Sequence, residues 1–498
     1  MKHCFIFIIC LIFLNATTGY SNSSYVHIEG KINHPYIKNK GGVINFIVYS
    51  NEFVFSNYSA SSRYKIKVGQ DGRFVTSIQC PDSRSFLIAF TCKDADGNRV
   101  TTQYSSINYD LYRFYPNDSV TLLIENGNLE FGGKGGKKLQ CQVELYKECL
   151  KNSSDLTRKR GTNNGETYKD HLESLYQELG AIYQRRMKIL DKYKDNITKD
   201  ELELLQYDCI GDLNRILLRV LRFTQISPDQ DTKVPIAKKF YFEKHSALNL
   251  VPKEGVAVNS ALFIQALFEN EVINLEFSNY VNRRYQFSFD ELYNKIVNKY
   301  HGELKEKLLT IGFLTYVTRK SETLNYISEV TDHVNNKICK TILENLREAY
   351  LRGSLVKYFD FSDTSGKKVK LIDFHGKIIV LDLWFTGCLP CTIMAKELKN
   401  VIHHYQNIED IVFISVNVND NKESWIKGLQ SGKYTSNEQI NLYTDGLGVS
   451  HPFIKYYNFI GFPSLILIDK DGTLISANPP NPYPKSIQEL INLIDSYL

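Results

Sequence analysis

The stretch IIVLDLWFTGCLPCTIM, residues 378–394, sets Cys388 and Cys391 three residues apart, directly after an apolar run. Its front half, within KIIVLDLWF (377–385), is the continuous apolar run of a strand buried on both faces of a parallel sheet. Its back half leads into TIMAKELKNVIHHY (392–405), which has helical character. The two thiols thus stand where a strand gives way to a helix. Four chemistries fit such a pair: half a zinc site, a haem attachment, a structural disulfide or a redox couple. Zinc needs two further ligands, normally a second close pair, and the chain has no other C-x-x-C. A c-type haem needs His after the second cysteine, where Thr392 stands. A structural disulfide across so short a loop is strained and easily reduced, and that lability is what a redox couple requires.

The placement supports the redox reading. Cys388 is expected at a helix N-terminus, where free amide N–H groups and the helix dipole favour the thiolate. Cys391, one turn later on the same face and less exposed, can attack a mixed disulfide at Cys388. Pro390 removes a donor and stiffens the first helical turn.

A chain of 498 residues exceeds one core and predicts two to four domains. Residues 25–150 read as an all-β, sandwich-like domain, antiparallel, with runs such as GGVINFIVYS and SVTLLIENGNLEF separated by turns. The GGKGGKK stretch (132–138) lacks the spacing and Ser/Thr of a phosphate loop and reads as a solvated turn. The polar segment 151–167 marks a boundary, and 165–350 reads as an all-α domain. Capping boxes at Thr198–Glu201 and Ser288–Glu291 open two of its helices. Residues 355–498 alternate strand and helix. A second buried strand lies in IEDIVFISVNV (408–418), a hairpin in GFPSLILIDKDGTLISA (461–477), and a closing helix in 485–498.

Lys2 and His3 precede an apolar run, 4–16, too short to span a bilayer, followed by small and polar residues. Residues 1–19 therefore read as a signal peptide, and the chain as exported, with the periplasm or cell envelope as the location that the resemblance below implies. A net charge of +5 spread over the length forms no basic stripe, so no nucleic-acid partner is expected. Beyond the leader and the 388–391 pair stand Cys80, Cys92, Cys141, Cys149, Cys209 and Cys339. Cys80 and Cys92 are candidates for a bridge, with buried free thiols the alternative for all six.

FHGKIIVLDLWFTGCLPC, FISVNVND and GFPSLILIDKDGTL, in this order and spacing, resemble the thioredoxin superfamily. The nearest likeness is to exported TlpA/ResA-type thiol–disulfide oxidoreductases, within the AhpC/TSA–thioredoxin-like group, here with added N-terminal domains. The resemblance covers 355–498 and implies a C-terminal α/β thioredoxin fold without a cofactor or metal. It makes Cys388 the attacking and Cys391 the resolving cysteine, and matches Pro463 to the family's cis-proline. The Phe462 backbone is then available to pair with an extended substrate segment, and Trp384 packs beneath the motif. Asp382 matches the buried acid that moves protons to and from the resolving cysteine in thioredoxins. The implied partners are disulfide-containing proteins and a thiol electron donor, such as a membrane thiol–disulfide transporter. Leu389-Pro390 departs from the Gly-Pro of thioredoxin, and Met394 stands where some ResA-type members carry an acid. A thiol peroxidase of the peroxiredoxin branch is the competing enzyme, but its Pro and Thr are missing at the offsets before Cys388. A binding protein carrying a thioredoxin-like domain is the non-enzyme alternative.

Overall fold

The computed structural model describes residues 24–38, 40–49, 51–55, 60–80, 85–100, 110–125, 127–149, 165–223, 230–244, 255–281, 284–285, 287–317, 320–357, 359–418, 421–459 and 461–498. The expected signal peptide, 1–19, and most of the turn-rich boundary segment lie outside the described residues.

In the N-terminal region β1 (Tyr25–Asn33), β2 (Gly42–Tyr49), β3 (Ala60–Val68), β4 (Arg73–Gln79), β5 (Phe86–Asp94), β6 (Tyr112–Phe114), β7 (Ser119–Glu125) and β8 (Asn128–Lys134) build two sheets. Their orders are β4-β1-β7-β8 and β3-β2-β5-β6. Burial alternates along β1, so Val26, Ile28 and Ile32 point inward to share one core with Ile44, Phe46 and Ile88 of the other sheet. The expected sandwich is there, but it is not wholly antiparallel. β1 and β7 run parallel, with Ile28 opposite Val120, because the chain passes through the second sheet before returning.

Nor is the region all β. GGKGGKK ends β8 and begins helix α1 (Gly136–Lys147) instead of forming a solvated turn. Its Lys138 reaches the carboxylate of Asp118 at 2.7 Å, with both side chains nearly covered. Leu139 and Val143 of α1 face the sandwich, while Cys141 and Leu145 face a cluster with Leu190 and Leu205 of the helical region. One amphipathic helix thereby joins the two regions.

The middle region comprises α2 (Gly165–Tyr193), α3 (Lys199–Phe223), α4 (Gln230–Lys244), α5 (Ala261–Ser278), α6 (Phe289–Lys299), α7 (Gly302–Tyr316), α8 (Leu324–His333) and α9 (Lys337–Tyr350). Both capping boxes form: Glu201 N–H donates to Thr198 Oγ1 at 3.3 Å, and Glu291 N–H to Ser288 Oγ at 3.2 Å. A ribbon of β9 (Tyr280–Val281) and β10 (Arg284–Tyr285) interrupts the all-α expectation, its strands too short to leave an alternating signal.

The C-terminal region runs β11 (Asp360–Ser362), β12 (Lys368–Lys370), β13 (Ile378–Trp384), α10 (Leu389–His404), β14 (Ile411–Asn417), α11 (Lys422–Gln430), β15 (Ile440–Tyr443), α12 (Pro452–Tyr456), β16 (Ser464–Ile468), β17 (Leu474–Ser476) and α13 (Ile487–Asp495). Its seven strands are ordered β12-β11-β15-β14-β13-β16-β17. Central β13 is buried throughout, parallel to β14 and antiparallel to β16. On one face Val380 packs with Met394 and Leu398 of α10 and Leu490 of α13. On the other, Leu381 and Leu383 join a core with Phe453, Tyr457 and, from α9, Leu346 and Tyr350. That core continues across the boundary expected near 355. Asn458 Nδ2 donates to the Leu314 carbonyl at 2.8 Å, and Gly353 N–H to the Leu474 carbonyl at 2.9 Å.

Candidate active site: a cysteine pair at a helix N-terminus

The buried strand β13 ends at Trp384, and four residues later Cys388 caps helix α10. Cys388 and Cys391 form a disulfide, with Cα atoms 5.2 Å apart. The Cys391 N–H donates to Cys388 Sγ at 3.1 Å, one of the free first-turn amides that the capping position supplies. Leu389 and Pro390 occupy the first two helical positions, both exposed, so proline falls where its missing N–H costs nothing.

The expected contrast in exposure is absent with the disulfide closed. Cys388 is 4% exposed and Cys391 2%. The reason lies in the loop opposite. The Phe462–Pro463 peptide is cis, and the Phe462 carbonyl oxygen stands 3.8 Å from Cys388 Sγ. Phe462 also meets Phe385 edge-on, its ring centroid 6.1 Å away. Trp384 shares a cluster with both cysteines, Trp425 and Tyr443. Tyr434 stacks on Trp384 at 4.9 Å, and its hydroxyl accepts from Gly387 N–H at 2.9 Å. Helix α11 comes so close that a Cβ at Gly428 would sit 3.0 Å from the Trp384 ring.

Asp382 shares the Val380 and Trp384 face of β13 and is buried. Gln439 Nε2 donates to its Oδ1 at 2.7 Å, and Ser415 Oγ to its Oδ2 at 3.4 Å. Ser415 Oγ in turn accepts from the Trp384 indole N–H at 2.7 Å, which fixes its own proton toward Asp382. Gln439 is held by its other end: Oε1 accepts from Ser436 N–H at 3.0 Å and Thr435 Oγ1 at 2.9 Å. Burial pushes the Asp382 carboxyl up to about 7, against these two donors, which lower it.

Ser415, Tyr434, Thr435 and Gln439 escape the sequence reading. Ser415 had a usable signal, since the parallel register of β13 and β14 sets it opposite Asp382. The others come from a loop and have none. No group of three or more His, Cys, Asp or Glu converges on a metal site among the described residues. The six other cysteines among the described residues are free. The candidate Cys80–Cys92 bridge does not form: Cys80 follows β4 in one sheet, while Cys92 lies in β5 of the other. Burial pushes the thiols of Cys92, Cys141, Cys209 and Cys339 up to about 12.

Residues 376–474 match the family model described as thioredoxin-like. The Bacillus subtilis thiol–disulfide oxidoreductase ResA is 26% identical over 148 residues, which are 30% of this chain and 78% of that protein. Among solved structures, a Bacteroides vulgatus protein assigned as a thiol–disulfide oxidoreductase is 30% identical, covering 30% of this chain and 98% of that one, with a TM-score of 0.26. A thiol:disulfide interchange protein from Bacteroides sp. is 24% identical, covering 30% and 91%, also with a TM-score of 0.26. The C-terminal region is thus a thioredoxin-like domain whose relatives are thiol–disulfide oxidoreductases of the ResA/TlpA type.

Proposed function

We propose that the protein is a cell-envelope reductase of protein disulfides working through Cys388 and Cys391. The observation that carries this reading is the Cys388–Cys391 disulfide at the cap of α10, facing the Phe462 carbonyl across 3.8 Å. In the reduced enzyme the Cys388 thiolate attacks one sulfur of a substrate disulfide. A mixed disulfide forms at Cys388, and the first substrate thiolate leaves. Cys391, losing its proton to Asp382, attacks Cys388 Sγ, closes the intramolecular disulfide and expels the second substrate thiolate. Two electrons have then passed to the substrate, and a thiol donor such as a membrane thiol–disulfide transporter restores the dithiol.

The neighbouring groups have matching tasks. First-turn amides of α10 stabilise the Cys388 thiolate, both at the start and when it leaves. The Phe462 backbone, before cis-Pro463, offers edge hydrogen bonds to an extended substrate segment, while exposed Pro390 borders it. Trp384 holds Ser415 and so orients Asp382. The domain limits 25–150, 165–350 and 355–498 remain part of this reading, with the thiol chemistry confined to the last. The leader, 1–19, supplies export. Among the described residues no helix is long and apolar enough to cross a membrane.

The full-length protein is expected to catalyse reduction of insulin by dithiothreitol, followed by turbidity. A rate equal to the uncatalysed one would overturn the reading.

A further inference from the structure

A cleft of about 530 Å³ opens beside the disulfide, its wall including both chain neighbours of Cys388, Gly387 and Leu389. It runs along α10, whose Thr392, Lys396 and Lys399 fall on one helical stripe with Leu389. The opposite wall is the loop after α11, contributing Lys433 and Tyr434. Lys399 Nζ donates to the Gly432 carbonyl at 3.4 Å and closes the far end.

Three ammonium groups therefore line one cleft that has no acid in its wall, and none of them pairs with a carboxylate among the described residues. Unpaired lysines are common in this region, and what distinguishes these three is that they share one concave wall; Lys357, by contrast, pairs with Glu348 at 3.5 Å. Lys368 pairs with Asp445, and Lys470 with Asp410 at 3.0 Å. A concave wall of one charge sign concentrates the field and draws an oppositely charged partner. Leu389 in the cleft wall is 71% exposed and Ile393, one turn further along α10, is 50% exposed, an apolar pair suited to a polypeptide more than to a small anion. From Cys388 to Lys399 the helix rises by roughly 16 Å, which about five extended residues span.

We propose that this cleft docks an acidic segment of the disulfide-bearing substrate protein, with carboxylates within about five residues of the attacked cysteine. Apolar contacts at Leu389 and Ile393 flank that cysteine, and Lys396, Lys399 and Lys433 take the carboxylates. The proposal names the substrate class of the reductase described above and rests on that reading.

The test uses the full chain and two synthetic disulfide-looped peptides, identical except for an acidic or an amide flank of three residues beside one cysteine. Reduction of the acidic peptide is expected to have a kcat/KM about tenfold higher at low salt, the ratio falling toward one at high salt. The double variant Lys396→Gln, Lys433→Gln is expected to reduce that ratio to about two at low salt. Equal values for the two peptides, or a preference that the double variant leaves intact, overturns the proposal. Anisotropy binding of the same peptides with serine replacing both cysteines separates the two claims. Preferential binding without turnover of either peptide supports the cleft and sinks the reductase reading. Turnover without preferential binding of the acidic peptide sinks the cleft alone.

Discussion

Replacing Cys391 with serine is expected to stop turnover after a single bond exchange. The variant keeps Cys388 at the cap of α10, where the helix N-terminus stabilises its thiolate, so it still attacks a substrate disulfide. Nothing one turn away then resolves the adduct. Steady-state insulin reduction should fall by roughly a thousandfold, with a mixed disulfide accumulating at Cys388. Cys388→Ser should lose turnover to the same extent and trap little substrate. Tryptic mapping of the trapped species reads the difference. Adducts formed preferentially through Cys391 in the converse variant would reverse the assigned roles.

The second large effect is expected at Asp382, in opposite directions for stability and rate. Its carboxyl titrates at about 7 in the folded protein, against 3.8 as the ordinary value, because burial penalises the charge. Between those two values the unfolded chain has released the proton and the folded chain still holds it. Stability therefore falls as pH rises from about 4 to 7 and stays reduced above. The difference corresponds to a cost of about 4 kcal/mol above neutrality. Asparagine keeps the bond that its oxygen accepts from Gln439, and its amide N–H donates to Ser415 Oγ in place of accepting from it, without the charge. Asp382→Asn should therefore be more stable than wild type by about 2–4 kcal/mol at pH 8 and equally stable near pH 4. Its resolving step should slow by about a hundredfold, the worth of a positioned base. The wild-type rate should rise with pH through about 7, and the variant should lose that inflection. Urea melts at several pH values and stopped-flow single turnovers measure the two halves. A variant less stable at pH 8 than wild type, with an unchanged pH–rate profile, would make Asp382 a structural group only.

How far the sequence carries depends on how local each signal is. The strand-to-helix passage at 378–394 is short-range and dense, and β13, α10 and the cap at Cys388 follow from it. The hairpin of β16 and β17 and both capping boxes rest on similar local chemistry. Strands β11, β12 and β15 are three or four residues long, too brief for a periodic signal. The parallel pairing of β1 with β7 joins residues about ninety apart, beyond any local pattern. The same limit applies inside the site. Asp382 stands out as an acid in an apolar run, whereas Gln439 and Tyr434 sit in a polar loop where such residues are ordinary. The burial of Cys388 was illegible because its cover comes from the Phe462–Pro463 loop, seventy-four residues away.

Differential alkylation of the full chain across a series of glutathione buffers tests the central claim most directly, with mass mapping of all eight cysteines outside 1–19. Cys388 and Cys391 should change together, as one two-electron couple, between reduced and disulfide-bonded forms. Cys80, Cys92, Cys141, Cys149, Cys209 and Cys339 should stay reduced throughout, being free, with thiols that burial raises. Titration of any other pair, or a Cys388–Cys391 bond that does not respond to the buffer, would contradict the assignment of this pair as the redox centre.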